Sequence, residues 1–131
     1  MNGDLDSLLD GVGASGSLNK ERKDELQSKY HLEVDHAEKL VSSMSVKKYV
    51  FEPSGREVWI VVGRAKEYFV IPKLYCQCDD FYINVVIRQK KGWCYHLLAQ
   101  AIATRRGSYE SYRVLDGDFK RFNNEWKKQS V

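Results

Sequence analysis

Cys76-Gln77-Cys78 and Cys94-Tyr95-His96-Leu97-Leu98-Ala99 stand fifteen residues apart, and together they use all three cysteines and one of the three histidines of the 131-residue chain. In an extended strand, residues i and i+2 point to the same face, so Cys76 and Cys78 can present both sulfurs to one point. On a helix, i and i+2 diverge by roughly 200°. Cys94 therefore belongs just outside a helix, with His96 in its first turn and the stripe Leu97, Leu98, Ala101, Ile102 running on to a stop before Gly107. Three thiolates and one imidazole around one centre describe a closed tetrahedral Zn²⁺ site, one structural ion per chain, held by Cys76, Cys78, Cys94 and His96. Orphan N–H groups at the helix start favour a thiolate there. The rival readings are three separate buried thiols, or a Cys94–His96 nucleophilic pair that leaves Cys76 and Cys78 idle.

Upstream of the pair, Val46–Phe51, Glu57–Val62 and Tyr68–Ile71 are rich in β-branched and aromatic residues. Glu52 to Gly55 and Gly63 to Lys66 separate them as turns, which predicts a three-stranded antiparallel meander ending at the cysteines. Before it, from Asn19 to about Ser43, apolar positions Leu26, Tyr30, Val34, Ala37, Leu40, Val41 and Met44 recur at helical spacing, with a break admitted near His31. Downstream, Phe81 to Arg88 is apolar enough for either a short helix or a strand. A last helix is expected from about Asp116, with Phe119, Phe122 and Trp126 on one face. The expected class is α+β: an N-terminal helix, the meander, a zinc site joining the sheet end to a following helix, and a C-terminal helix. Residues 1–18, with Gly-Val-Gly-Ala-Ser-Gly-Ser at 11–17, read as a flexible tail, and 19–131 as a single zinc-binding domain.

The composition, 43% hydrophobic and 30% charged, is that of one globular unit and leaves no room for a second. No apolar run approaches the roughly 18 residues of a membrane span, and the acidic amino terminus is a poor secretory signal. The expectation is an intracellular protein, cytoplasmic in a prokaryote and nuclear in a eukaryote, with reduced thiols. Residues 1–45 carry nine acidic and five basic side chains and residues 46–131 nine acidic and sixteen basic, so net charges of −4 and +7 give the overall +3. This asymmetry permits a nucleic-acid or acidic partner without requiring one.

The cysteine and histidine pattern resembles a SWIM zinc finger, C-x-C-x(n)-C-x-H, with Phe81 three residues after the second cysteine. Ala37–Val41, the turn Pro53-Ser54-Gly55-Arg56 before a Val/Trp-rich strand, a Tyr-containing strand ending at the cysteines, and Cys-x-His-Leu-Leu-Ala are similar in order and spacing to the small SWIM-domain subunit of the Shu complex. That resemblance implies a partner, a RecA-like recombinase paralogue, a role in homologous recombination and DNA repair, and no catalytic residue. The glycine-serine tail and the C-terminal helix depart from the pattern.

Outside the finger, His31 and His36 are five apart and do not share a helical face, so they are expected at the surface. Trp59, Trp93, Trp126 and the tyrosines are expected mainly in the core, with base stacking as the rival use. Arg88, Lys90 and Lys91 before the third ligand, and Arg105 and Arg106 at a helix end, form a candidate nucleic-acid or partner contact. Phe119, Phe122 and Trp126 are candidate partner contacts, against the alternative that their helix folds back on the core. The expectation is a non-enzymatic, zinc-stabilised interaction subunit, since no P-loop, paired-carboxylate or Ser-His arrangement appears. The alternative is a stand-alone nucleic-acid-binding zinc module, DNA being reached directly or through the partner.

Overall fold

The run Val58-Trp59-Ile60-Val61 is buried along its whole length, the mark of a strand covered on both faces. The computed structural model, which describes residues 20–29, 31–63 and 66–128, places it at the centre of a five-stranded mixed sheet. The strands are β1 (Val46–Glu52), β2 (Arg56–Val62), β3 (Glu67–Ile71), β4 (Tyr75–Cys76) and β5 (Glu110–Leu115), in spatial order β4-β3-β2-β1-β5. The first three pair antiparallel, as the meander predicts, and β4 folds back antiparallel on β3 where a continuation of the third strand towards Tyr75 was expected. β5 adds to β1 in parallel, with Tyr49 opposite Tyr112, and was not foreseen.

Period-two alternation divides the core in two. Val46, Trp59, Val61, Val70 and Cys76 face the larger cluster, built with helices α1 (Lys20–Ser28), α2 (Val34–Ser42) and α3 (Tyr95–Arg106). Phe51, Val58 and Ile60 face the other side, where helix α4 (Phe119–Lys128) covers them after a 3₁₀ turn at Asp116–Asp118. The expected break in the first helix falls at His31, whose φ of 58° is left-handed, and Leu32 N–H closes onto Leu26 O at 3.0 Å. Glu38 on α2 ties the helices together, pairing with Lys23 of α1 at 2.8 Å and Arg106 of α3 at 3.1 Å. α3 is buried on all sides from His96 to Ala103. Gly107 ends it at φ 69°, where Ser108 N–H reaches back to Ala103 O at 3.0 Å.

Phe81 to Arg88, open between helix and strand on periodicity, forms a π-helix, π1 (Phe81–Ile87). The C-terminal helix takes the fold-back alternative. Phe119 packs edge-on against Phe51 at 5.1 Å and Phe122 against Phe51 at 6.1 Å, so this sheet face is closed by the chain itself. The expectation that Phe119 and Phe122 leave an open docking face is corrected: a half-polar helix with two phenylalanines on one face buries them where an apolar sheet face is available. Trp126 lies in α4 with its side chain outside the described part, as do the tail 1–18 and Tyr30. Among the described residues no helix is long and apolar enough to cross a membrane.

Candidate metal centre

Cys76 closes β4 opposite Val70. The next residue keeps the ladder going: Gln77 N–H donates to Phe69 O at 3.1 Å, and its side-chain Oε1 accepts from Phe69 N–H at 3.1 Å. This extended geometry turns Cys76 and Cys78 to one face, as the Cys-x-Cys spacing predicts. Cys94 is the N-cap of α3 with extended backbone (φ −92°, ψ 171°), and His96 sits in the first turn. The two segments meet: one donor atom from each of Cys76, Cys78, Cys94 and His96 lies within 4.8 Å of the others, and all four residues are buried.

The donor set fits a tetrahedral metal. Zn–S bonds of about 2.3 Å imply donor separations of about 3.8 Å, so contraction of about 1 Å or less closes the shell. Cys94 Sγ stands 4.0 Å from His96 Nδ1, and His96 Nε2 is buried with no hydrogen-bond partner among the described residues. A buried imidazole lacking acceptors is costly unless something else engages it. Zinc bound by these residues is structural, since four protein ligands leave no position for water or substrate.

The three thiols perturb one another strongly. Thiol hydrogen bonds from Cys76 and then Cys94 hold the Cys78 sulfur well below the usual thiol range. Phe81 N–H adds a bond to it at 3.4 Å. Cys76, the donor to Cys78 and to Cys94 and buried besides, is pushed far up. For Cys94 the bond from Cys76 lowers the value, but the bond to Cys78, burial and the Cys78 charge prevail and push it up to about 12.

Residues that sequence reasoning did not assign to the metal centre complete the frame. The Tyr68 ring lies 4.5 Å from that of His96, and Tyr95 lies 4.2 Å from it. Asp80 accepts from Asn84 Nδ2 at 2.7 Å and from Lys91 Nζ at 2.6 Å, which binds π1 to the loop carrying Cys94. The signal in the sequence was faint: an Asp and an Asn four apart.

The basic positions do not form one track. Lys91 is spent on Asp80 and Arg106 on Glu38, and Arg105 donates to Ala101 O at 3.3 Å. Arg88 and Lys90 are exposed beside π1. His31 and His36 are exposed as expected; His36 bonds Glu33 at 2.7 Å and its ring lies 5.2 Å from that of Tyr95, outside the set of four converging donors. Trp59 and Trp93 are core residues, whereas Tyr82 is largely exposed.

No family model matches the chain, and no solved structure matches it. Among curated proteins, the zinc finger SWIM domain-containing protein 7 homolog of Dictyostelium discoideum is 33% identical over 66 residues, covering 49% of this chain and 42% of that protein. The chain thus matches less than half the length of this relative. That similarity and the buried Cys76–Cys78–Cys94–His96 cluster together support a SWIM-type zinc finger.

Proposed function

We propose that the protein is a non-enzymatic, zinc-stabilised interaction subunit that pairs with a RecA-like recombinase paralogue in recombinational DNA repair. The observation that carries the interaction role is the saturated ligand set, which turns the most reactive side chains of the chain into a structural clamp. Support for a protein partner comes from π1, whose Tyr82, Val86 and Ile87 are 61%, 51% and 59% exposed beside that clamp, a group of large apolar side chains in solvent of the kind that contiguous interaction surfaces use. The named finger of the Dictyostelium relative supports the SWIM reading, and the recombinase partner rests on the resemblance of the wider chain.

Purification of the tagged full chain from its native cell, followed by identification of bound chains, tests the partner. Recovery of a RecA-like ATPase homologue, held through a high-salt wash, is expected, because an apolar interface is much less salt-sensitive than phosphate contacts. Recovery of nucleic acid alone, lost steeply with salt, replaces this reading with the nucleic-acid module.

A further inference from the structure

His36 and Lys39 of α2, Lys66 of the turn between β2 and β3, Tyr68 of β3 and Tyr95 at the start of α3 line one surface cleft of about 570 Å³. Clefts of that order hold a single small ligand. Its aromatic side is an unbroken run of rings: His36 stands 5.2 Å from Tyr95, Tyr95 stands 4.2 Å from His96, and His96 stands 4.5 Å from Tyr68. Both tyrosines are half-buried and lean on an imidazole of the metal centre, which fixes them from behind without lending the cleft a ligand. The bond from Gly63 N–H to Lys66 O at 2.8 Å closes the turn beside them, and Gly63 lies so near the Tyr68 ring that a Cβ there would stand 2.8 Å from it.

The cleft is one-sided in charge. Lys39 and Lys66 reach it from two separate elements, and among the described residues neither has a carboxylate within ion-pair distance. None of the described lining residues is acidic. The carboxylates closest in sequence to the α2 wall are engaged elsewhere, Glu33 by His36 at 2.7 Å and Glu38 by Lys23 and Arg106. An acidic side chain in this cleft would use the lysines and leave three rings idle, and an aromatic side chain would do the reverse. The combination selects a group that is both planar and anionic, for which ring faces supply stacking and ammonium groups supply charge. We propose that the cleft binds a nucleotide unit, its base stacked among His36, Tyr68 and Tyr95 and its phosphate on Lys39 and Lys66.

That chemistry reaches the cleft from two sources, a free mononucleotide or one residue of a single strand. A paired duplex is excluded as the ligand, because its bases are stacked on each other and turn no face outward. The cleft shares no described residue with π1, and the inference rests neither on the recombinase partner nor on the resemblance that suggests it. It gives the protein a ligand of its own beside any partner it binds.

Binding to the isolated, zinc-loaded full chain is the test, with deoxyadenosine monophosphate followed by titration calorimetry and a short fluorescein-labelled oligodeoxyadenylate followed by anisotropy. Saturable binding is expected: uptake of the mononucleotide identifies a free ligand, and uptake of the oligonucleotide alone identifies a strand. The double variant Lys39→Glu, Lys66→Glu should weaken binding about ten-fold, whereas Lys39→Arg, Lys66→Arg should retain it. His36→Ala, which removes an exposed ring and no metal ligand, should weaken it about five-fold. Arg88→Glu, Lys90→Glu changes the net charge by the same amount outside the cleft and should leave the affinity within about two-fold, with zinc content constant in every variant. Because no other protein is present, the outcome is independent of the partner proposed above. Binding of neither compound, equal losses in the two charge-reversed variants, or a His36→Ala chain that binds as the wild type does overturns the inference.

Discussion

Asp116, at the start of the turn into α4, grips Ser54 across 62 residues of sequence: its carboxylate accepts from the Ser54 backbone N–H at 3.0 Å and from its hydroxyl at 2.7 Å. The Ser54 hydroxyl also accepts from Arg56 N–H at 3.2 Å, so one carboxylate organises the β1–β2 turn and fixes where the C-terminal helix begins. Asp116→Ala is expected to cost about 1–2 kcal/mol, as two bonds to a charged acceptor are lost at an exposed site. Urea unfolding of the purified variant measures it. An unchanged midpoint would show that α4 is held by Phe119 and Phe122 without help from this contact.

Zinc should be present at one equivalent per chain after mild dialysis. Cys78→Ala should lose both the metal and cooperative unfolding, since metal binding to such ligand sets is worth about 10–16 kcal/mol at neutral pH. Metal analysis alongside circular dichroism decides it, and a folded wild-type chain without metal would defeat the assignment.

Much of this centre was legible because each ligand pair obeys a local rule. Cys-x-Cys works only on extended chain, and Cys-x-His just ahead of Leu97 works only at a helix start, so two short spacings predicted which elements meet. Glu110–Leu115 was illegible for the opposite reason. Four of its six residues are exposed, it shows no apolar alternation, and its pairing with β1 is a long-range parallel contact. The same limit hid the outer side of π1. Phe81 and Ile87 look alike as letters, and only tertiary packing decides that one is 5% and the other 59% exposed.

Glu38 gives the stability a defined acid limb. Burial raises its carboxyl, but hydrogen bonds from Lys23 and Arg106 and their charges outweigh that and hold it below the ordinary value of 4.5. A depressed folded value means that the contribution is complete above pH 4.5 and is lost as pH falls through the folded value. Glu38→Gln should therefore destabilise by about 1–2 kcal/mol at pH 7 and by progressively less below pH 4.5. Chemical unfolding of wild type and variant across pH 3–7, compared pairwise so that acid release of zinc cancels, reads the difference. A gap that stays constant over this range contradicts the pairing.

Gly63 is the position where a single methyl should reach the metal. A Cβ there would stand 2.8 Å from Cε2 of Tyr68 and 3.4 Å from Lys66 O, and Tyr68 in turn lies against His96. Gly63→Ala is expected to destabilise by about 1–3 kcal/mol through overpacking and to speed zinc transfer to a chelator. Gly117→Ala, where nothing lies within 4 Å, is the control. Equal zinc-transfer rates in the two variants would mean that Tyr68 does not brace the histidine.

The parallel placement of β5 gives metal supply a role in timing. The hairpins of β1 to β4 close locally, but β5 returns to β1 only after the chain has travelled from β4 through π1 and α3. Joining Cys76 and Cys78 to Cys94 and His96 shortens the loop that must be closed before the last strand arrives, and long loops are what slow such topologies. A nascent chain starved of zinc would therefore wait with its hairpins formed and Phe51, Val58 and Ile60 bare to its neighbours. Refolding with zinc withheld and then added should show aggregation that grows with the length of the delay, making metal arrival a clock for the assembly of the sheet.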